Sequence, residues 1–228
     1  SEHSEIFISV FYPNWLIIRE FYLNLHNMKN FVFLLLCFWG GLLTANARTM
    51  TDFFIDMPDS LMPMLSQNAR KDLIDFYRSG MKPILPNEWS ANSQLTKVEK
   101  SLIELSEDSR GVVTTTFAML NLKSRDTVIC MVRTIKCPQP DSEIFFFSTN
   151  WEPLKTRHYI TLPSEQETRP ATDHSVVDYT SISLASKDST GFTLDIAIDA
   201  TDGVSDAPPD RKRTFRYEWN GSKFTKKT

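Results

Sequence analysis

Two segments near the middle of the chain are apolar on both faces of an extended strand, and this pattern limits the possible folds more than any other feature. "VICMVRTI" (128–135) and "IFFF" (144–147) place large apolar side chains at consecutive positions. Because successive side chains of a strand point to opposite faces of its sheet, both faces must be covered there. We therefore expect two central strands, with a helix on one side and further strands on the other.

Alternating apolar and polar residues, typical of strands, extend from about Leu95 to the end of the chain. Four runs lie in 95–151 and four in 175–227, and a proline-containing polar connector (152–174) separates the two groups. Asn220-Gly221 is a strong hairpin signal between the last two runs. The pattern predicts two four-stranded antiparallel meanders. One face of the second is lined by Phe192, Leu194, Ile196 and Ile198.

The two groups of strands share a hexapeptide. "SEDSRG" (106–111) and "SKDSTG" (186–191) lie eighty residues apart, each between two alternating runs. One interpretation is that the meanders are structurally similar and that the hexapeptide forms the first hairpin turn of each. The alternative, with equal weight, is shared turn chemistry, since Asp, Ser and Gly suit any such turn.

Helical spacing is convincing only in 50–82. Pro58 and Pro63 limit the first helix to a short one, for which Asp56 can act as the cap. A second helix can start from Ser66 and end at Ser79-Gly80; its predicted core stripe is Ala69, Leu73, Phe76 and Tyr77. The methionines of "MPDSLMPM" (57–64) are expected to fill gaps under the sheet. The predicted fold class is α+β, with N-terminal helices packed on about eight antiparallel strands arranged as two four-stranded meanders.

The N-terminal part has the pattern of an export signal. From Met28 to Ala47, Lys29 is the only charged residue, and the apolar core from Phe31 to Leu43 is shorter than the roughly 20 residues of a spanning helix. Ala45-Asn46-Ala47 offers small residues for cleavage after Ala47. We expect residues 1–27 to be a non-native upstream extension, 28–47 a signal peptide, and 48–228 a single periplasmic or secreted domain without a stable membrane span.

Charge and cysteine content exclude some partners. Without residues 1–47, 23 basic and 25 acidic residues remain, so no nucleic-acid-binding face is expected. Cys130 and Cys137 are the two cysteines left in an oxidising compartment. If "TVICMVRTIK" (127–136) is one strand, it holds them too far apart for a disulfide. Whether both thiols are free stays open.

Acidic residues concentrate in "DIAIDATDGVSDAPPD" (195–210). Asp199, Asp202, Asp206 and Asp210 are weak candidate calcium ligands, because several carboxylates in one loop can supply oxygen ligands. The spacing does not match an EF-hand, so a solvated loop is the favoured interpretation.

Arg133 interrupts the most apolar run of the chain. A buried arginine needs a carboxylate or solvent, and Asp141 or Glu143 across the following turn is its expected partner. An anion-binding pocket is the alternative. His158 and His174 have no metal-binding spacing, and no catalytic or nucleotide motif is present, so we predict no catalytic residue and no cofactor.

Several segments carry a family resemblance, among them "ARTMTDFFIDMPDSLMP" (47–63), "TVICMVRTIKCPQPDSEIFFFSTNWEPL" (127–154) and "YEWNGSKF" (217–224). They resemble an uncharacterised family of exported proteins from Gram-negative anaerobes, a domain of unknown function. The resemblance implies export and a shared fold and assigns no catalytic residues.

The sequence thus favours a non-catalytic binding module of the cell envelope that recognises a protein or a surface glycan through its sheet or exposed aromatic residues. The alternatives are an envelope hydrolase using carboxylates of the 195–210 region, or a calcium-binding periplasmic protein.

Overall fold

The computed structural model describes residues 48–108, 110–136, 139–164, 167, 177–187, 191–201 and 212–227. They belong to a unit formed by 48–228; residues 1–47, the predicted upstream extension and signal peptide, lie outside the described part. The predicted α+β class is confirmed: within the described ranges, the two α-helices that can be bounded accompany antiparallel strands arranged in two sheets.

The helices precede the strands. Helix α1 spans Met50–Asp56, a 3₁₀ turn spans Asp59–Leu61, and helix α2 spans Gln67–Arg78. Neither described helix is long and apolar enough to cross a membrane. Helix α2 begins after Ser66, as predicted, and Ser66 Oγ accepts a hydrogen bond from the Ala69 amide at 3.3 Å.

The predicted start of the first helix was wrong. Asp56 is the last residue of α1 and not its cap; the helix is capped instead by Thr49. The Thr49 amide donates to the Asp52 carboxylate at 2.6 Å, which holds the pKa of Asp52 below its usual value. A carboxylate in the first turn also interacts favourably with the helix dipole.

The first sheet has seven strands, in the order of the chain. They are β1 (Ile84–Pro86), β2 (Asn92–Val98), β3 (Leu102–Ser106), β4 (Val113–Asn121), β5 (Thr127–Lys136), β6 (Pro140–Phe147) and β7 (Pro153–Leu154). The prediction of four strands was wrong: the four runs are β3 to β6, β2 was also missed, and β1 and β7 are short, proline-containing edge strands without visible alternation. Pro86 also removes an amide donor from the β1 edge, which disfavours pairing with another strand.

The second sheet has four strands, the number predicted for this part of the chain. They are β8 (Val177–Ser186), β9 (Phe192–Thr201), β10 (Lys212–Trp219) and β11 (Phe224–Lys226), in the order β11-β10-β9-β8. Strand β6 covers the outer edge of β8. The Ile182 amide of β8 donates a hydrogen bond to Ser142 Oγ of β6 at 3.0 Å.

The seven-stranded sheet is covered on both faces, so the fold has three layers. Neighbouring residues of β4 separate the two cores: Phe117 packs under the helices and Ala118 packs toward the second sheet. In β5, Met131 and Cys130 divide in the same way. This arrangement agrees with the expectation for the two apolar runs. The three methionines of 57–64 are buried in the helix-side core, as predicted.

The repeated hexapeptide does not mark equivalent turns. "SEDSRG" joins β3 to β4, the third and fourth strands of their sheet, whereas "SKDSTG" joins the first two strands of the other sheet. Gly111 has a φ of 78°, and Gly191 is not among the glycines with positive φ. Residues 109 and 188–190 lie outside the described part. Shared turn chemistry therefore explains the similarity better than a structural repeat does.

Candidate functional site

The described part of the acidic region contains an ion pair between Arg216 and Asp195. Arg216, on β10, lies opposite Asp195 on β9. Its Nε donates to Asp195 Oδ1 at 2.8 Å and its Nη2 to Oδ2 at 2.9 Å, so both carboxylate oxygens are engaged. This pairing raises the pKa of Arg216.

The candidate calcium ligands stay a prediction, because their side chains fall outside the described part of the chain. The Asp199 side chain and all of Asp202, Asp206 and Asp210 lie outside the described residues. Within the described ranges, no group of three or more His, Cys, Asp or Glu residues is arranged to hold a metal ion.

Arg133 pairs with a residue that the sequence analysis did not name. Its Nη2 donates to Glu107 Oε2 at 2.8 Å, so the predicted pairing with Asp141 or Glu143 was wrong. Thr115 Oγ1 donates to the other oxygen of the same carboxylate at 2.5 Å. Glu107 follows β3, Thr115 lies on β4 and Arg133 on β5, so the three side chains meet across neighbouring strands. Glu107 is only 3% exposed, and a buried carboxylate needs such a partner more than the exposed Glu143 does.

The same glutamate anchors the hairpin between β1 and β2. Asn87 Nδ2 donates to the Glu107 carbonyl at 2.7 Å and to Ser93 Oγ at 2.9 Å. Ser93 Oγ donates to the Glu107 carbonyl as well, at 3.1 Å. We call Asn87, Ser93, Glu107, Thr115 and Arg133 the Glu107 cluster. Its hydrogen bonds connect one edge of the sheet to its centre.

Trp89 is held at the surface by this cluster. Asn87 Oδ1 accepts hydrogen bonds from the Trp89 amide at 3.0 Å and the Ala91 amide at 3.1 Å. Between them, Ser90 has a φ of 57°, in the left-handed region that tight turns use. The turn is thus fixed by side-chain and backbone contacts, while Trp89 remains 56% exposed.

Arg133, linked to this turn through Glu107 and Asn87, keeps unused hydrogen-bonding capacity. Its Nε is buried and has no hydrogen-bond partner among the described residues. The side chain as a whole is 31% exposed. An arginine has five N–H donors, so Arg133 can interact with a further group after pairing with Glu107. We call Trp89 and Arg133, joined through Asn87 and Glu107, the Trp89 surface.

A second candidate is an open pocket of about 260 Å³ beside β10 and β11, lined among others by Leu162, Tyr217 and Lys226. Lys226 Nζ lies 2.6 Å from Glu167 Oε1 and 4.3 Å from the centre of the Phe215 ring. The contact with Lys226 is the main cause that lowers the pKa of Glu167 to about 2. Burial, and then the charge of Glu167, raise the pKa of Tyr217.

The histidines and cysteines do not form a site in the described part. His158 is exposed and ends a 3₁₀ turn, Thr156–His158. His174 and Cys137 lie outside the described residues. Cys130 is a free, buried thiol whose pKa is raised by burial, so it behaves as a small apolar core residue.

The sequence analysis missed Trp89, Asn87 and Glu107. Pro86-Asn87 before Trp89 is a turn signal that could have identified the exposed aromatic residue. Glu107 had no such signal, because it belongs to a hexapeptide that turn chemistry explains fully.

The observations define an α+β protein with two antiparallel sheets and helices on one face of the larger sheet. The chain belongs to the family described as "Protein of unknown function (DUF3256)", whose model matches residues 42–199. No curated protein matches the chain.

A solved structure has a similar fold. It is described as the structure of a domain of an uncharacterized protein from Porphyromonas gingivalis W83. The TM-score is 0.60 at 22% identity, and the match covers 78% of this chain and 98% of that chain. At this identity the similarity concerns the fold alone.

Proposed function

We propose that the protein is a non-catalytic binding module of the cell envelope, periplasmic or secreted, which recognises a protein partner through the Trp89 surface. The observation that carries this proposal is the 56% exposed indole on a turn fixed by Asn87. Trp and Arg are enriched among the residues that dominate protein–protein binding energy. A fixed turn reduces the conformational entropy that is lost on binding.

Arg133 adds polar specificity to this surface. Its pairing with Glu107 fixes the guanidinium group, and the side chain stays 31% exposed, although the unpaired Nε is itself buried. A partner with a carbonyl or carboxylate group would pair with Arg133 through the exposed part of this side chain.

The hydrolase alternative is less well supported. Asp195 is the one acidic residue of the 195–210 region whose side chain is described, and Arg216 engages both of its oxygens. A carboxylate held in this way is poorly suited to donate or accept a proton, because its cationic partner favours the ionised form.

Affinity capture from envelope extract tests the proposal when matched variants are compared. The full chain, Trp89→Ala and Tyr77→Ala are used as baits, and the retained proteins are identified by mass spectrometry. Tyr77 is 42% exposed on helix α2 and serves as the control for loss of an exposed aromatic residue. We expect one partner that both the wild type and Tyr77→Ala retain and that Trp89→Ala loses.

The retained partner is then purified, and its affinity is measured by calorimetry. Removing a central interface tryptophan typically costs at least about 2 kcal/mol, so Trp89→Ala should weaken binding by at least about thirtyfold. Equal affinity of all three baits would contradict the proposal. If the baits that keep Trp89 retain an envelope glycan and no protein, the partner is a glycan and the proposed protein partner is wrong.

The proposed location has a separate test. Fractionation, followed by mass spectrometry of the N-terminal peptide, should find a chain that begins at Arg48 in the envelope or medium. An intact chain in the cytosol would contradict the location without bearing on the Trp89 surface.

A further inference from the structure

We infer that the pocket beside β10 and β11 binds a single neutral sugar residue. This site is separate from the Trp89 surface, and the inference does not depend on the proposed protein partner. Its residues come from β10, β11 and the chain around Leu162.

The first support is a hydroxyl group that faces the pocket without a protein partner. Tyr217 lines the pocket and is only 2% exposed, and its hydroxyl makes no hydrogen bond within the described ranges. The hydroxyl oxygen itself is not fully buried, so a molecule in the pocket can reach it. The charge of Glu167, another lining residue, acts on this hydroxyl, so the two groups lie within electrostatic reach. A ligand with its own hydroxyl groups would supply the missing hydrogen bond.

The second support is the mixture of polar groups around the pocket. Glu167 provides hydrogen-bond acceptors, Lys223 provides donors, and the Thr161 hydroxyl can do either. The charges are of both signs, and Lys226 is already paired with Glu167. A ligand that both donates and accepts hydrogen bonds and carries no charge fits this set better than an ion does.

The third support is size and the presence of an apolar wall. The volume of about 260 Å³ lies below the roughly 300–1,000 Å³ of pockets for drug-sized ligands, so it suits one small ring. Leu162 is 47% exposed and lines the same pocket. A sugar ring has apolar C–H groups on its faces that can pack on such a side chain, while its hydroxyl groups reach the polar residues.

Titration of the full chain with methyl glycosides tests the inference. The probes are the methyl glycosides of glucose, galactose, mannose and N-acetylglucosamine, followed by NMR or calorimetry. An open site for one ring should bind weakly, with a Kd on the order of millimolar. Tyr217→Phe removes only the hydroxyl and should weaken binding about three- to tenfold, the usual range for one hydrogen bond. Leu162→Arg should abolish it.

Tyr77→Phe is the matched control, because it removes a tyrosine hydroxyl outside the pocket and should leave the affinity unchanged. Absence of binding by all four glycosides would overturn the inference, as would equal affinity of wild type and Tyr217→Phe. Glucuronate binding more tightly than methyl glucoside would also overturn it, since the site would then be one for anions. Trp89→Ala should bind the glycosides normally, so failure of the Trp89 surface and failure of this pocket are distinguishable.

Discussion

The indole Nε1 of Trp151 donates a hydrogen bond to the backbone carbonyl of Phe53 at 3.1 Å, and so joins the turn after β6 to helix α1. The Trp151 ring also meets Phe117 edge-on at 6.1 Å and Phe147 at 5.5 Å between centroids. Trp151 has a φ of 63°, which is unfavourable for a bulky residue. These contacts therefore hold the backbone in a conformation that the residue would not adopt alone.

Trp151→Phe should lower the free energy of unfolding by about 2–4 kcal/mol. The substitution removes the hydrogen bond to a buried carbonyl and leaves a cavity where the larger ring packed. Urea denaturation followed by circular dichroism measures the change. Trp89→Phe, at an exposed position, should stay within about 0.5 kcal/mol of wild type. Similar shifts for the two variants would contradict the structural role of Trp151.

Arg70 joins the two helices from inside the core. It is 0% exposed, and its guanidinium donates to the carbonyls of Phe54 at 2.9 Å and Leu65 at 2.5 Å, as well as to that of Met57. Nη1 also contacts Asp59 Oδ1 at 2.9 Å. Burial lowers the pKa of Arg70, and Asp59 opposes that effect. The end of α1 is thus satisfied by a side chain of α2.

Arg70→Met should lower the free energy of unfolding by about 3–5 kcal/mol. Methionine fills similar space, but several buried carbonyls and Asp59 lose their donor. Lys71→Met, at the exposed neighbouring position, is the control and should change stability by less than about 0.5 kcal/mol. Thermal and urea denaturation of both variants measure the difference. A marginal effect of Arg70→Met would mean that water replaces the guanidinium.

The sequence predicted the elements whose signals are local. Helix α2 has a capping serine and a C-terminal Gly80 with a φ of 73°, and both were visible in the sequence. The predicted core stripe of α2 was partly wrong, since Tyr77 is exposed while Arg70 and Ile74 are buried. A charged residue in a helix is normally expected to face solvent. The partners of Arg70 are backbone carbonyls, which no sequence pattern reveals.

The candidate site was harder to predict because its members are distant in the sequence. Glu107 and Arg133 lie 26 residues apart and meet only when β3, β4 and β5 pair in register. The nearer Glu143 was the reasonable choice by proximity, and it does lie opposite Arg133. Arg133 pairs with Glu107 because the Glu107 carboxylate is buried and needs a charged partner. That burial arises only when the whole sheet has formed.

Stability should decrease in acid partly through surface carboxylates. Contacts with Lys227 and then Lys187 lower the pKa of Glu218 to about 2. Because this folded pKa lies below the unfolded value of about 4.3, the contribution is present above that value and is lost as the pH falls from about 5 toward 2. Both lysines are more than half exposed, so salt should weaken the effect.

Glu218→Gln should therefore show a smaller loss of stability than wild type between about pH 5 and pH 2. Urea denaturation at a series of pH values measures the slopes. Glu152→Gln is the control, because that exposed side chain forms no ion pair within the described ranges. A slope for Glu218→Gln equal to that of wild type at low salt would mean that the lysine contacts do not persist in solution.

The Cys130 thiol reports whether the core between the two sheets is closed. Cys130 is fully buried, and burial raises its pKa, so very little thiolate is available to react. In a variant with Cys37→Ser and Cys137→Ser, a thiol reagent should label Cys130 in denaturing urea and leave it unlabelled over the same time in native buffer.

Adding Arg70→Met to that variant should accelerate native labelling by a factor of about 10² to 5 × 10³. When opening and closing are fast relative to the reaction, the labelling rate follows the open fraction, and about 3–5 kcal/mol of lost stability raises that fraction accordingly. Arg70 packs on the opposite side of the seven-stranded sheet from Cys130, so this acceleration requires both cores to open together. Unchanged labelling despite a lowered unfolding free energy would show that the helix layer opens separately from the two sheets.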